Sequence, residues 1–148
     1  MRFLVVHGPN LNLLGTREPD VYGKTTLPEI NERLHKKALE NGHDVVHFQS
    51  NHEGELIDKL QEAQSPEAGF DGVLFNPGGL THTSVALRDA VSALPVPVVE
   101  VHLSNIYARE DFRQHSMISG VCAGVVSGFG VASYLLGLDA LIGMKEGS

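Results

Sequence analysis

Cysteine and positive charge are both scarce in this sequence. Cys122 is the single cysteine among 148 residues, so the chain cannot form an internal disulfide and we expect it in a reducing compartment. Its apolar, Gly-rich surroundings hold no neighbouring base, which favours a structural thiol over a nucleophile. The 11 Lys and Arg residues stand against 18 Asp and Glu, for a formal net charge of −7. This balance argues against a nucleic-acid-binding protein, although a few local arginines can still bind a small anion.

Long hydrophobic runs are also missing. No run approaches the roughly 18 apolar residues that span a membrane. The N-terminal run, Phe3–Val6, is too short for a signal peptide. We therefore expect a cytoplasmic protein without a membrane partner. With 42% hydrophobic and 20% charged residues, the chain has the composition of a globular protein, and we expect one domain over residues 1–148.

Several familiar catalytic motifs do not occur. The sequence has no Walker A motif, no G-x-G-x-x-G and no G-x-S-x-G, which disfavours a nucleotide site and an α/β-hydrolase. Eight histidines raise the question of a metal, but H-x-H and H-E-x-x-H spacings are absent, so we expect no metal centre. A metal hydrolase and a module that binds a nucleotide or phosphate remain as alternatives.

Apolar periodicity divides the chain into alternating strands and helices. Thr26 and Glu29 form a capping box before a helical apolar stripe, and Ser50 and Glu53 repeat that pattern before a second helix. Further helices are predicted at Ser84–Ala93 and Val131–Ile142, with a short one near Arg109–Gln114, and strands at Arg2–His7, Asp44–Gln49, Gly72–Phe75, Val98–Val101 and Ala123–Ser127.

This alternation predicts an α/β fold with a parallel sheet and right-handed crossovers. Five units in this length indicate a flavodoxin-like three-layer sandwich with a five-stranded parallel sheet in the order 2-1-3-4-5. Ligands of such sheets bind at the carboxyl ends of the strands, beside the point where the strand order reverses. The segments that leave strands 1, 3 and 4 there are Gly8–Gly23, Asn76–His82 and His102–Arg113, and they are also rich in polar side chains.

The first of these segments is too long for an ordinary strand–helix turn, which usually runs about 2–6 residues. It holds Asn10, and then Arg17 and Tyr22, which Gly15 and Gly23 bracket. Such a loop after a strand is typical of a lid over an active site. A free tyrosine, with a pKa of about 10, is a poor base at neutral pH, but a nearby guanidinium favours the phenolate. A plain surface loop is the alternative.

Glu100 and His102 lie two residues apart at the end of an apolar strand, so they share one face. A buried unpaired glutamate is unfavourable, and a carboxylate that holds a histidine in one tautomer would provide an oriented acid or base. Arg109 and Arg113 share a helical face and suit a carboxylate, or they pair with Glu110 and the neighbouring aspartate on the surface.

The segment NPGGLTHTS places two glycines before a helix. Glycines at this position let backbone N–H groups approach an anion. Without a Gly-Lys-Thr ending, the segment fits a small carboxylate or a hydroxyl-bearing ligand better than a nucleotide. A tight turn would explain its glycines but not Asn76 and His82.

Together these segments make the chain recognisable. HGPNLNLLGTREPDVYG, FNPGGLTHTSVALRDA and VEVHLSNIYAREDFRQHS, in this order, resemble the type II 3-dehydroquinate dehydratases. The likeness runs over nearly the whole chain. Small departures such as Pro77 and Leu103 are conservative and leave the chemistry undisturbed.

The resemblance implies a single catalytic domain that removes water from 3-dehydroquinate to give 3-dehydroshikimate, the third step of the shikimate route or the same step of quinate breakdown. It implies anti elimination through an enolate, with Tyr22 as base and His102 as acid. Arg17 would support the ionised Tyr22, Asn10 would hold a water at the enolate, and Glu100 would orient His102.

The resemblance further implies that no metal or organic cofactor takes part and that twelve copies assemble as a tetramer of trimers. The residues that it assigns to substrate binding are Asn76, His82, Asp89, Leu103, Ser104 and Arg113.

Overall fold

The computed structural model describes residues 1–16 and 19–147, without the side chains of residues 21 and 22. These residues build one five-stranded parallel sheet in the order β2-β1-β3-β4-β5, which confirms the predicted fold. The strands are β1 Arg2–His7, β2 Asp44–Gln49, β3 Gly72–Asn76, β4 Val98–His102 and β5 Gly124–Ser127.

Helices cover both faces of the sheet. Alternate side chains of β1 enter different cores. Phe3 and Val5 pack with helices α2 (Leu27–Glu40) and α5 (Val131–Glu146), whereas Leu4 and Val6 pack with α3 (Glu53–Glu62) and α4 (Val85–Ser92). This alternation is the period-2 geometry of a strand that is buried on both sides. The helices are α1 Pro19–Tyr22, α2 Leu27–Glu40, α3 Glu53–Glu62, α4 Val85–Ser92 and α5 Val131–Glu146. In the part of the chain that the structure describes, no helix is long and apolar enough to cross a membrane.

One of the two predicted capping boxes is present. Thr26 caps α2 by accepting a hydrogen bond from the Glu29 backbone N–H. Ser50 does not cap α3, because the helix begins only after His52. The buried Ser50 hydroxyl instead donates to the Glu55 carboxylate and accepts from the His52 N–H.

Two strands run one residue further than the sequence indicates. β3 ends at Asn76 and β4 ends at His102, so each of these polar residues is the last residue of a buried strand. Strand geometry therefore fixes where both side chains leave the sheet. The predicted short helix near Arg109–Gln114 is a single 3-10 turn at Asp111–Arg113.

Two histidines of adjacent strands stack with 6.4 Å between ring centroids. His7, on β1, is fully buried, and burial lowers its pKa to about 3. His47, on β2, is partly buried, and burial lowers its pKa to about 4. Both rings are therefore neutral at physiological pH. In the unfolded chain, each would take up a proton near its ordinary pKa of about 6.5.

These depressed pKa values predict that acid destabilises the fold. Below about pH 6.5, His7 and His47 bind protons in the unfolded chain but not in the native protein. The free energy of unfolding therefore falls as the pH decreases from about 6.5 toward 4. The buried His7 alone should lower the free energy of unfolding by about 2 kcal/mol at pH 5. Urea unfolding at pH 7 and pH 5 measures this difference.

The variant His47→Gln should lose less stability than the wild type between these two pH values. His52→Gln is the matched control, because His52 is exposed and its side chain makes no capping hydrogen bond. An equal loss in the wild type and in His47→Gln would contradict this assignment.

Candidate active site

A cleft opens at the carboxyl ends of β1, β3 and β4, which is where the predicted sheet order places a ligand. Its volume is about 710 Å³ with the open mouth included. The described residues that line it are Pro9, Asn10, Leu11, Leu14, Asn76, Gly78, Gly79, His102, Leu103, Arg109 and Arg113.

The cleft floor forms where the loops after β1 and β3 touch through their backbones. The Gly8 N–H donates to the Asn76 carbonyl at 2.7 Å. A Cβ on Gly8 would lie 2.4 Å from the Pro77 carbonyl oxygen, and one on Gly78 would lie 2.9 Å from the Pro9 carbonyl oxygen. Only glycine permits this approach on either side, so these glycines set the spacing of the two loops.

Asn10 is held in place from the end of β2. It has a left-handed backbone, with φ of 68°, and is the one described non-glycine residue with positive φ. Its N–H donates to the Asn51 side-chain oxygen at 2.9 Å. Gln49 donates to the same oxygen at 3.1 Å and to the Gly8 carbonyl at 3.2 Å. No sequence pattern predicts these contacts of Gln49 and Asn51, because the strand order alone does not show that their side chains reach the first loop.

The predicted contact between Glu100 and His102 is present. The Nε2 atom of His102 lies 2.5 Å from the Glu100 carboxylate, and both side chains are buried. The other carboxylate oxygen accepts hydrogen bonds from the hydroxyls of Ser116 and Ser119, each at 3.0 Å. Three donors thus compensate the burial of this carboxylate. Because Nε2 is engaged by Glu100, Nδ1 is the ring nitrogen left for proton exchange in the cleft.

Two guanidinium groups also line the cleft. Arg109 donates from Nε to the Ser104 hydroxyl at 2.8 Å. Arg113 forms an ion pair with Glu110, with 2.8 Å between Nε and the carboxylate oxygen. Arg113 thus makes the predicted local ion pair and also lines the cleft, whereas its binding of a carboxylate stays a prediction. The sequence alone does not decide whether Arg109 binds a ligand carboxylate or pairs with the nearby acidic residues, because both explain its position equally well.

His82 lies beside the cleft with a defined tautomer. Its Nδ1–H donates to the His115 carbonyl at 2.8 Å, while Nε2 is buried and has no hydrogen-bond partner among the described residues. Burial is the main cause that lowers the pKa of His82, and the charges of Arg109 and Arg113 act in the same direction. The neutral ring therefore keeps Nε2 as a buried acceptor, and His82 is not among the described residues that line the cleft.

Other predicted residues take different positions. Leu103 is buried on the cleft wall, and Ser104 lies behind Arg109. Asp89 is exposed on α4 and is not among the described residues that line the cleft. Arg17 and the side chain of Tyr22 lie outside the described residues.

Cys122 has the character of a structural thiol. It is half-buried, and burial, with a smaller contribution from the Glu100 charge, raises its pKa to about 12. The thiolate, which is the nucleophilic form, is therefore not populated at neutral pH.

Comparison with known proteins places this architecture among related sequences and structures. The model of the family Dehydroquinase class II matches residues 1–142. The chain is 58% identical to a 3-dehydroquinate dehydratase of Nostoc sp. over 147 residues, which cover 99% of this chain and 98% of that protein. It is 59% identical to a 3-dehydroquinate dehydratase of Pelotomaculum thermopropionicum over 140 residues, which cover 95% of each. The crystal structure of a type II dehydroquinase from Butyrivibrio crossotus superposes with a TM-score of 0.93 at 40% identity, covering 96% of this chain and 97% of that one.

The contact between the first and third loops leads to a stability prediction. Gly8→Ala should destabilise the protein by about 1–3 kcal/mol, because its Cβ would overlap the Pro77 carbonyl and force the loops apart. Gly54→Ala is the matched control, since a Cβ at that position meets open space within α3. Urea unfolding compares the two. Equal stability of both variants would show that the loop contact does not constrain the fold.

Proposed function

Because this chain belongs to the class II dehydroquinase family, we propose that its cleft carries out the family's dehydration of 3-dehydroquinate with the residues described above. The activity is that of a hydro-lyase of the shikimate pathway. The observation that carries the residue assignment is the buried Glu100–His102 pair, whose histidine lines the cleft together with two guanidinium groups. The product by this route is 3-dehydroshikimate.

His102 serves as the general acid in this proposal. Hydroxide is a poor leaving group, so a proton must reach the departing oxygen during elimination. The Glu100 carboxylate accepts a hydrogen bond from Nε2–H and fixes the ring orientation, which leaves Nδ1 to donate the proton to the substrate. Ser116 and Ser119 hold the carboxylate in the rotamer that this orientation requires.

Tyr22 serves as the base, and Arg17 stabilises its phenolate. Abstraction of a proton next to the ketone gives an enolate, and Asn10 holds a water that donates to the developing charge. What supports this placement is the path of the described chain. Leu11 and Leu14 line the cleft, and the following Gly15 lies against Lys24, since its Cβ would meet the Lys24 carbonyl oxygen at 2.9 Å. The lid segment therefore leaves and re-enters the fold beside the cleft.

Substrate recognition rests on charge and on oriented polar groups. Arg113, together with Arg109, attracts the substrate carboxylate. Asn76 and the Nε2 acceptor of His82 bind its hydroxyls, Leu103 contacts substrate from the cleft wall, and Ser104 contributes a further contact. No metal or organic cofactor is required for these steps.

Asp89 supports an oligomeric site. Its side chain is exposed on α4, so its proposed contact with substrate requires the cleft of another copy. We propose a homododecamer, built as a tetramer of trimers from single-domain subunits in the cytoplasm. Large exposed apolar side chains, among them Phe112 and Phe129, are consistent with subunit contacts. The mass of the purified protein in solution, measured by light scattering, tests this assembly.

The first test of the function is a direct assay. Purified protein in EDTA should convert 3-dehydroquinate to a conjugated enone, which is followed by its ultraviolet absorbance. Activity should survive borohydride treatment in the presence of substrate, because the mechanism uses no lysine Schiff base. Inactivation by borohydride would indicate a lysine imine, and loss in EDTA would indicate a metal. An inactive, folded protein that binds a mononucleotide would favour a binding module instead.

The second test concerns the base. Tyr22→Phe should lower kcat by at least about 100-fold while substrate still binds, because general-base catalysis typically contributes about 10²–10⁴-fold. Tyr107→Phe is the matched control and should keep normal turnover, since Tyr107 is 72% exposed. Near-normal turnover of Tyr22→Phe would remove Tyr22 from the mechanism.

A further inference from the structure

A chain of four polar side chains runs beneath the cleft, and the mechanism above leaves most of it unused. Asn31 of α2 contacts Nε2 of His7 at 2.8 Å, and Nδ1 of His7 contacts the Tyr134 hydroxyl at 2.9 Å. That hydroxyl accepts a hydrogen bond from the Asn76 side-chain nitrogen at 3.0 Å. His7 and Tyr134 are completely buried, and Asn76 is 3% exposed.

The direction of each hydrogen bond follows from its neighbours. The Asn31 oxygen can only accept, so Nε2 of His7 carries the proton. The neutral ring then presents Nδ1 as an acceptor, and the Tyr134 O–H donates to it. The tyrosine oxygen is thereby free to accept from Asn76. Burial keeps the ring neutral and raises the pKa of Tyr134, so both protons stay where this arrangement needs them.

The other end of the Asn76 amide is fixed as well. Its oxygen accepts from the Gly78 N–H at 3.1 Å. A side-chain amide offers two N–H donors and two lone pairs, and this environment uses one of each. One N–H and one lone pair remain, on a residue that lines the cleft. The protein thus presents a donor and an acceptor to the ligand in a fixed arrangement.

We propose that Tyr134, oriented by His7 and Asn31, is a positioning residue that holds the Asn76 amide in its substrate-binding orientation. This inference rests on the proposed function to the extent that Asn76 binds substrate. Neither Tyr134 nor His7 touches the cleft, so they act only through Asn76. Their effect is preorganisation, because the amide need not be ordered when substrate arrives.

The packing of α5 brings Tyr134 close to the strand that ends in Asn76. Gly137 lies one turn after Tyr134, and a Cβ there would come within 2.6 Å of the Leu74 side chain. The missing side chain lets the helix approach β3, the strand that ends in Asn76. Phenylalanine would fill the same apolar volume as Tyr134, so the hydroxyl is accounted for only by its two hydrogen bonds.

Tyr134→Phe tests the proposal with little change of volume. It removes one oxygen and leaves the Asn76 nitrogen and His7 Nδ1 without this partner. We expect kcat/KM for 3-dehydroquinate to fall about 3- to 10-fold, the effect of one hydrogen bond, mainly through a higher KM. Ile142→Val is the matched control for core destabilisation, because Ile142 is buried on the same helix away from the cleft, and its KM should be unchanged.

A double-mutant cycle separates positioning from a general structural effect. In an Asn76→Ala background, Tyr134→Phe should have no further effect on kcat/KM, because the amide that it positions is gone. Equal effects of Tyr134→Phe in both backgrounds, or an unchanged kcat/KM in the single variant, would overturn the proposal.

A second readout does not depend on turnover. In nitrogen-15-labelled protein, the side-chain amide protons of Asn76 should exchange slowly in the wild type and faster in Tyr134→Phe. Unchanged exchange would show that Tyr134 does not hold the amide, whatever the activity. If the wild type showed no dehydratase activity but Tyr134→Phe still made the Asn76 amide exchange faster, the positioning role of Tyr134 would be supported and the proposed function refuted.

Discussion

The burial of one carboxylate constrains much of the active-site architecture. Glu100 lies on a central strand with no exposure to solvent, so its charge must be compensated from within the protein. One donor comes from the same strand, and the other two come from the segment that holds Ser116 and Ser119. That segment is itself fixed, since the Met117 N–H donates to Thr81 and its carbonyl accepts from Arg88. His102 is therefore held by a connected set of hydrogen bonds that reaches α4.

Neighbouring strands carry two different kinds of polar support. β4 ends in His102, which contacts the Glu100 carboxylate, whereas β3 ends in Asn76, whose amide donates to the Tyr134 hydroxyl and accepts from the Gly78 N–H. Glycines in the loops after β1 and β3 then bring Asn10 close to both. The parallel sheet supplies the common edge, and the buried networks supply the orientation.

The sequence was sufficient for the fold because its strands and helices have strong apolar periodicity, and strand alternation restricts the topology. The prediction that Ser50 caps α3 is wrong, because β2 runs to Gln49 and α3 begins only after His52. The capping-box pattern does not show where the strand ends. Glu100 and His102 were predictable from period 2 alone. Tyr134 was not, because it lies in an apolar helix where an aromatic residue is ordinarily core. The roles of Arg17 and Tyr22 came from family resemblance, as neither follows from spacing.

In the proposed mechanism, the four hydrogen-bonded side chains from Asn31 to Asn76 serve substrate recognition and take no part in proton transfer. The two titratable ones among them hold their protons throughout the neutral range, His7 because burial disfavours its cation and Tyr134 because burial disfavours its anion. In the proposed mechanism His102, by contrast, loses and regains a proton in each catalytic cycle. The hydrogen bonds that this chain of side chains would offer to substrate hydroxyls thus keep the same charge state throughout the proposed reaction, while the charge of His102 changes.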